Sequence, residues 1–115
     1  MVQQEQFIYK NKVWQINIGL NKQDNWNLID NSKPNDIWFH VDSAPSAHII
    51  LSNEENFQLN KIPQQVITRC ACLCKSHSKS KSIKDCIIIY TYISNIKKTD
   101  KIGEVECTNI KQIKI

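Results

Sequence analysis

At 115 residues the chain has room for one hydrophobic core and not for two. Apolar residues make up 41% and charged residues 23%, and only 2 glycines and 3 prolines are present, which excludes collagen-like and linker-like architectures. The net charge of +4 conceals an asymmetry, because residues 1–60 carry −3 and residues 61–115 carry +7. Such a division suits either a polyanion-facing side or a solvated lysine surface.

The first residues, MVQQEQFIYKNK, lack the charged head and apolar run of a secretory signal. The longest apolar stretch, 87–93, is broken by Thr91 and is far too short for a hydrocarbon core of about 30 Å. Five cysteines are an odd number, and three of them crowd at Cys70, Cys72 and Cys74. Disulfide scaffolds favour even, dispersed sets, so a reducing compartment is expected, with thiols serving as small hydrophobes. A soluble, cytoplasmic protein with no membrane partner follows as the expectation.

In chain order, 7–9 and 13–18 carry β-branched and aromatic residues around Lys10-Asn11-Lys12, which predicts a hairpin. Residues 24–30 place Trp26 and Ile29 three apart and predict a short helix or turn. Two apolar runs, 37–41 and 47–51, predict a second hairpin, central in the sheet and covered on both faces. The clearest helix begins at Pro63 as its first residue, with Val66, Ile67, Cys70, Leu73 and Cys74 on one stripe. It should end in the serine–lysine segment 76–82. A strong strand is expected over 87–93, then a connector at 97–101 that ends at Gly103, then one or two strands over 105–107 and 110–115. The expected fold is a single α+β domain over 1–115: a mixed, largely antiparallel β-sheet with one long and one short helix.

Two segments go beyond pattern. Asp36-Ile37-Trp38-Phe39-His40-Val41, with Ser46-Ala47-His48 after it, resembles the signature of the NFACT-R domain family, in which a D-x-W-F-H-V strand leads through a small-residue turn to a second histidine. Upstream, Gly19-Leu20-Asn21 with Asn25 and Leu28 is similar to the family's G-R-N…N-x-x-L element. Downstream, Tyr90-Thr91-Tyr92-Ile93-Ser94-Asn95-Ile96-Lys97-Lys98-Thr99 resembles a run of the coiled-coil domain-containing protein 25 branch. The resemblance is collinear from about Gly19 to the end. Leu20 stands where the family has an arginine, so that phosphate contact is not carried over. The branch's long charged helical tail is not present before the chain ends at Ile115, and functions that need it are not carried over either.

The resemblance implies a non-catalytic module that binds structured RNA, transfer or ribosomal, in translation or ribosome-associated quality control, with DNA as a further polyanion and ribosome-associated proteins as further partners. Candidate phosphate contacts are Lys75, Lys79, Lys81 and Lys84 around the helix end, and Lys97, Lys98 and Lys101 in the connector, with His77 among the first group. Lysine suits sequence-independent backbone binding. If the helix-end loop and the connector share an edge, the two clusters form one positive groove. Trp38, His40 and His48 are candidates for base or phosphate contact, against a packing role for the same residues.

Three other readings compete. One is a protein-interaction subunit of a translation or RNA-surveillance complex. A second is metal-independent phosphodiester cleavage by His40, His48 and Asp36, for which neither nucleophile nor oxyanion-binding element is evident. The third is a metal site at Cys70-x-Cys72-x-Cys74-x-x-His77. On a helix Cys72 points away from Cys70 and Cys74, so no metal or other cofactor is expected.

Overall fold

The computed structural model describes residues 3–42, 46–78, 82, 84–102 and 104–115. The first hairpin joins β1 (Gln3–Tyr9) to β2 (Lys12–Gly19), antiparallel with Tyr9 opposite Lys12. Its two-residue turn, Lys10-Asn11, has φ of 49° and 64° at the two positions. That doubly left-handed turn matches the right-handed twist of the strands. The short helix α1 (Lys22–Asn31) follows, longer at both ends than the apolar spacing alone predicts. Asn21 caps it by accepting the Asp24 backbone N–H at 2.8 Å.

β3 (Ile37–Val41) and β4 (His48–Leu51) are antiparallel neighbours at the centre of a six-stranded sheet of order β1-β2-β4-β3-β5-β8, where β5 is Ile87–Tyr92 and β8 is Lys111–Lys114. Every pairing in this sheet is antiparallel, in keeping with the expected α+β fold of a largely antiparallel sheet and two helices. The long helix α2 (Gln64–Ser76) starts one residue later than expected, with Pro63 in the capping position. A second correction concerns the connector. Lys97 and Lys98 belong to a strand, β6 (Ile96–Lys98), which pairs antiparallel with β7 (Val105–Cys107) in a separate two-stranded ribbon. Gly103, expected to end that turn, lies outside the described residues.

Strand alternation sends the sheet's side chains into two cores. Ile37, Phe39 and Val41 of β3, with Ile49 and Leu51 of β4, pack with Val66, Ile67, Cys70 and Cys74 of α2. Trp38, Ile50, Ile89 and Ile93 join Leu28 of α1 on the other face, with Val105 and Cys107 of β7 packed against them. The central pair is therefore covered on both sides, as its doubly apolar sequence requires. Burial pushes the Cys74 thiol up to about 12 and the Cys70 thiol higher still, so both act as packing groups. No cluster of three or more metal-ligating side chains exists among the described residues, nor any helix long and apolar enough to cross a membrane.

Candidate nucleic-acid interface

The Asp36-to-Val41 motif divides its labour by strand parity. Trp38 and His40 point to the α1 side, and His48 joins them from β4. Trp38 donates its indole N–H to Nδ1 of His48 at 3.2 Å. The Trp38 and His40 rings lie parallel, 5.5 Å between centroids and 11° between planes. His48 stands edge-on to both, 5.5 Å from Trp38 and 5.1 Å from His40.

These contacts fix the proton positions. His40 places Nδ1 2.6 Å from the Val41 carbonyl, which can only accept, so Nδ1 carries the hydrogen and Nε2 keeps its lone pair. His48 is the reverse: Nδ1 accepts from Trp38, so in the neutral ring the hydrogen is on Nε2. Burial lowers the His48 pKa to about 3, helped by the neighbouring His40 ring. His40 is lowered too, by burial, against the opposing effects of the Val41 carbonyl and Asp42. Both rings are neutral at physiological pH.

The three rings floor a pocket of about 640 Å³ between the start of α1 and the β6–β7 ribbon. Lys22 and Lys101 supply cations to its lining, Glu104 an acid, and Asn25 and Ser46 neutral polar groups; Val41, Ile89, Ile102, Val105 and Cys107 make the rest apolar. A second depression of about 500 Å³ shares Lys22, Asn25 and Ser46 with the first and continues to Asn21, His77 and Ser78. The two form a connected concavity at one end of the sheet, running from the ribbon to the end of α2.

Gly19 makes this arrangement possible. A β-carbon there would lie 2.2 Å from Oδ1 of Asn25 and 3.0 Å from Leu28. Only glycine lets α1 settle this closely on β2. Asn25 Oδ1 in turn accepts the His48 backbone N–H at 3.2 Å, tying the helix to the histidine strand. Asp36 is not part of the pocket. Its carboxylate accepts the backbone N–H of Asn53 at 2.9 Å and of Lys33 at 3.0 Å, and so closes two loops.

Of the expected site residues, the structure brings Trp38, His40, His48 and Lys101 to one pocket, with His77 in its extension. It separates the other lysines. Lys98 is ion-paired with Asp30 and lies over the Trp26 ring at 4.9 Å. Lys97 faces Glu106 across the ribbon. Lys75 donates to the Ile115 carbonyl at 3.0 Å, and Lys84 is exposed. Lys79 and Lys81 lie outside the described residues. The expected groove from the helix-end loop to Lys97 and Lys98 is therefore not what the described lysines form. Lys22 was not among the expected contacts, yet it lines both depressions. A signal for it existed: it follows, two residues on, the leucine that replaces the family's arginine.

Comparison with known proteins agrees with this geometry. The model of the NFACT protein RNA binding domain matches residues 5–107. Coiled-coil domain-containing protein 25 from Mus musculus is 36% identical over 103 residues, covering 87% of this chain and 50% of that protein. Protein JLP2 from Saccharomyces cerevisiae is 35% identical over 105 residues, covering 86% of this chain and 50% of its own. The chain thus spans about half the length of these curated relatives. A structure of the C-terminal part of the fibronectin/fibrinogen-binding protein from Streptococcus suis superposes with a TM-score of 0.83 over 98% of this chain and 45% of that one. At 20% identity that likeness speaks for the fold. With the signature strand, the glycine–asparagine helix seat and the family model all in agreement, the chain belongs to the NFACT RNA-binding domain family.

Proposed function

We propose that the chain is a cytoplasmic, non-catalytic module that binds structured RNA of the transfer or ribosomal kind, in translation or ribosome-associated quality control, through the concavity at the α1 end of the sheet. The observation that carries this reading is the convergence of the family's tryptophan and two histidines with Lys22 and Lys101 on one pocket. Lysine ammonium groups there would meet phosphates, and the neutral polar groups would meet base or ribose edges. Catalysis is a poor use of these histidines. A general acid or base works best with a pKa near the working pH, and His48 sits at about 3.

The test is fluorescence anisotropy with a transfer RNA and with a single-stranded RNA across a salt series. Two or three phosphate contacts predict that log K falls with log[salt] with a slope of about −2. Binding with no salt dependence, or none at low salt, would remove the reading.

One observation favours protein contact as a second reading. Ile8 and Val13 stand opposite each other across the first hairpin, 70% and 52% exposed. Affinity capture after exhaustive nuclease treatment separates the two: partners that persist support protein docking, and partners that vanish support RNA.

A further inference from the structure

The pocket and its extension share Lys22, Asn25 and Ser46, but only the pocket holds the Trp38, His40 and His48 rings, and that assigns the base of a nucleotide to it. To the shared residues the extension adds Asn21, His77 and Ser78 with the apolar Leu20 and Ala47, and its polar members are suited to sugar and phosphate. The pocket proper sets Lys22 and Lys101 beside Glu104 and adds the apolar Ile89, Ile102, Val105 and Cys107, so an uncharged ring can sit among the apolar groups with its phosphate at the lysines. Its volume of about 640 Å³ is ample for one heterocycle.

The floor offers that ring a fixed hydrogen-bonding pair. His40 Nδ1 is held by the Val41 carbonyl and His48 Nδ1 by the Trp38 indole, so the tautomers are opposite and locked. His40 presents Nε2 as an acceptor, and His48 presents Nε2–H as a donor. Neither Nε2 has a hydrogen-bonding partner among the described residues. The two rings meet edge to face with centroids 5.1 Å apart, so both can address one bound ring. Nucleobase edges carry the complement, a donor beside an acceptor, on their Watson–Crick or Hoogsteen sides. Trp38 and His48 are buried, and His40, partly exposed and backed by the Trp38 ring, is the aromatic surface left for stacking.

We infer that this pocket captures one unstacked nucleobase, with His40 accepting from it, His48 donating to it, and the sugar–phosphate leading out past Lys22. The inference rests on the RNA-binding reading and deepens it: the domain holds a nucleotide that is splayed out of its stack, and does not merely follow a charged backbone. A double-helical segment, whose bases are already paired, would engage the cationic rim alone.

The test compares a short mixed-sequence single-stranded RNA with an abasic ribose–phosphate oligomer of equal length, by anisotropy at low salt. The wild-type chain should bind the RNA about tenfold more tightly, since one captured base contributes that order of affinity. His40→Phe keeps a ring against Trp38 and removes the acceptor, and it should bring the two affinities close together. Equal wild-type affinities for both oligomers would overturn base capture and leave phosphate-driven RNA binding intact. If neither oligomer binds, the RNA-binding reading fails and base capture with it. A second readout does not depend on a variant that folds. In an imidazole ¹⁵N spectrum, the His48 Nε2–H signal should move when adenosine, cytidine, guanosine or uridine is titrated and stay still with ribose 5-phosphate. A signal unmoved by all four nucleosides contradicts the proposal.

Discussion

Oδ1 of Asn25 lies 2.2 Å from where a β-carbon on Gly19 would stand, and that same oxygen holds the backbone N–H of His48 at 3.2 Å. One atom therefore limits how α1 seats on β2 and anchors the strand that carries the second histidine. Gly19→Ala must displace it. We expect a loss of about 2–3 kcal/mol, from overpacking and from the orphaned His48 N–H, and a melting temperature lower by about 10 °C in thermal denaturation. A Gly19→Ala protein as stable as the parent would mean that α1 is not held this way.

Asp36 makes a contrasting prediction. Its two carboxylate oxygens satisfy backbone donors at Lys33 and Asn53 and do not reach into the pocket. Asp36→Ala should destabilise the fold by about 2 kcal/mol, measured by urea denaturation. At a temperature where the variant is folded, its RNA affinity should match wild type. An affinity loss with unchanged stability would make Asp36 a ligand-facing group after all.

The buried histidines give the fold a pH dependence. The pKa of His48 is depressed from the ordinary 6.5 to about 3, so the unfolded chain takes up the proton first as pH falls. Stability from the neutral ring is complete above about pH 6.5 and declines through the interval down to about pH 3. His40 is shifted in the same direction. Between pH 7 and pH 5 the chain should lose about 2 kcal/mol of unfolding free energy, before most carboxylates titrate. His48→Gln should be less stable at neutral pH and show a shallower slope. An identical slope in the variant would assign the pH dependence elsewhere.

Charge reversal separates the lysines that line the concavity from those already engaged. Lys22→Glu and Lys101→Glu should each weaken RNA binding several-fold at low salt and reduce the salt slope by about 1. Lys98→Glu instead places a carboxylate beside Asp30 and removes the cation over Trp26. Its main effect should be on stability, up to about 1 kcal/mol, with a smaller change in affinity. The reverse ranking would move the binding surface to the β6–β7 ribbon's outer face.

What the sequence made legible follows the range of the physics. The unbroken apolar runs 37–41 and 47–51 reveal a doubly covered pair, and the α2 stripe reveals one face of the sheet, because those signals are local. The turn at Lys10-Asn11 is also local. The β6–β7 ribbon was not legible: 96–98 is three residues long with two lysines, and only its pairing with 105–107 makes it a strand. The partners of the lysines were equally hidden. Asp30 meets Lys98 across 68 residues, and the Ile115 carbonyl meets Lys75 across 40. Lys22 stands two residues after the leucine at the family's arginine position, but only the fold makes it, with Asn25 and Ser46, common to both depressions.

Ultraviolet crosslinking of the bound chain to single-stranded RNA, with the attached peptides read by mass spectrometry, tests the account most directly. Crosslinked nucleotides should fall on the segments that carry His40, His48 and Lys101. Crosslinks confined to the first hairpin, or to the exposed face of α2, would contradict it.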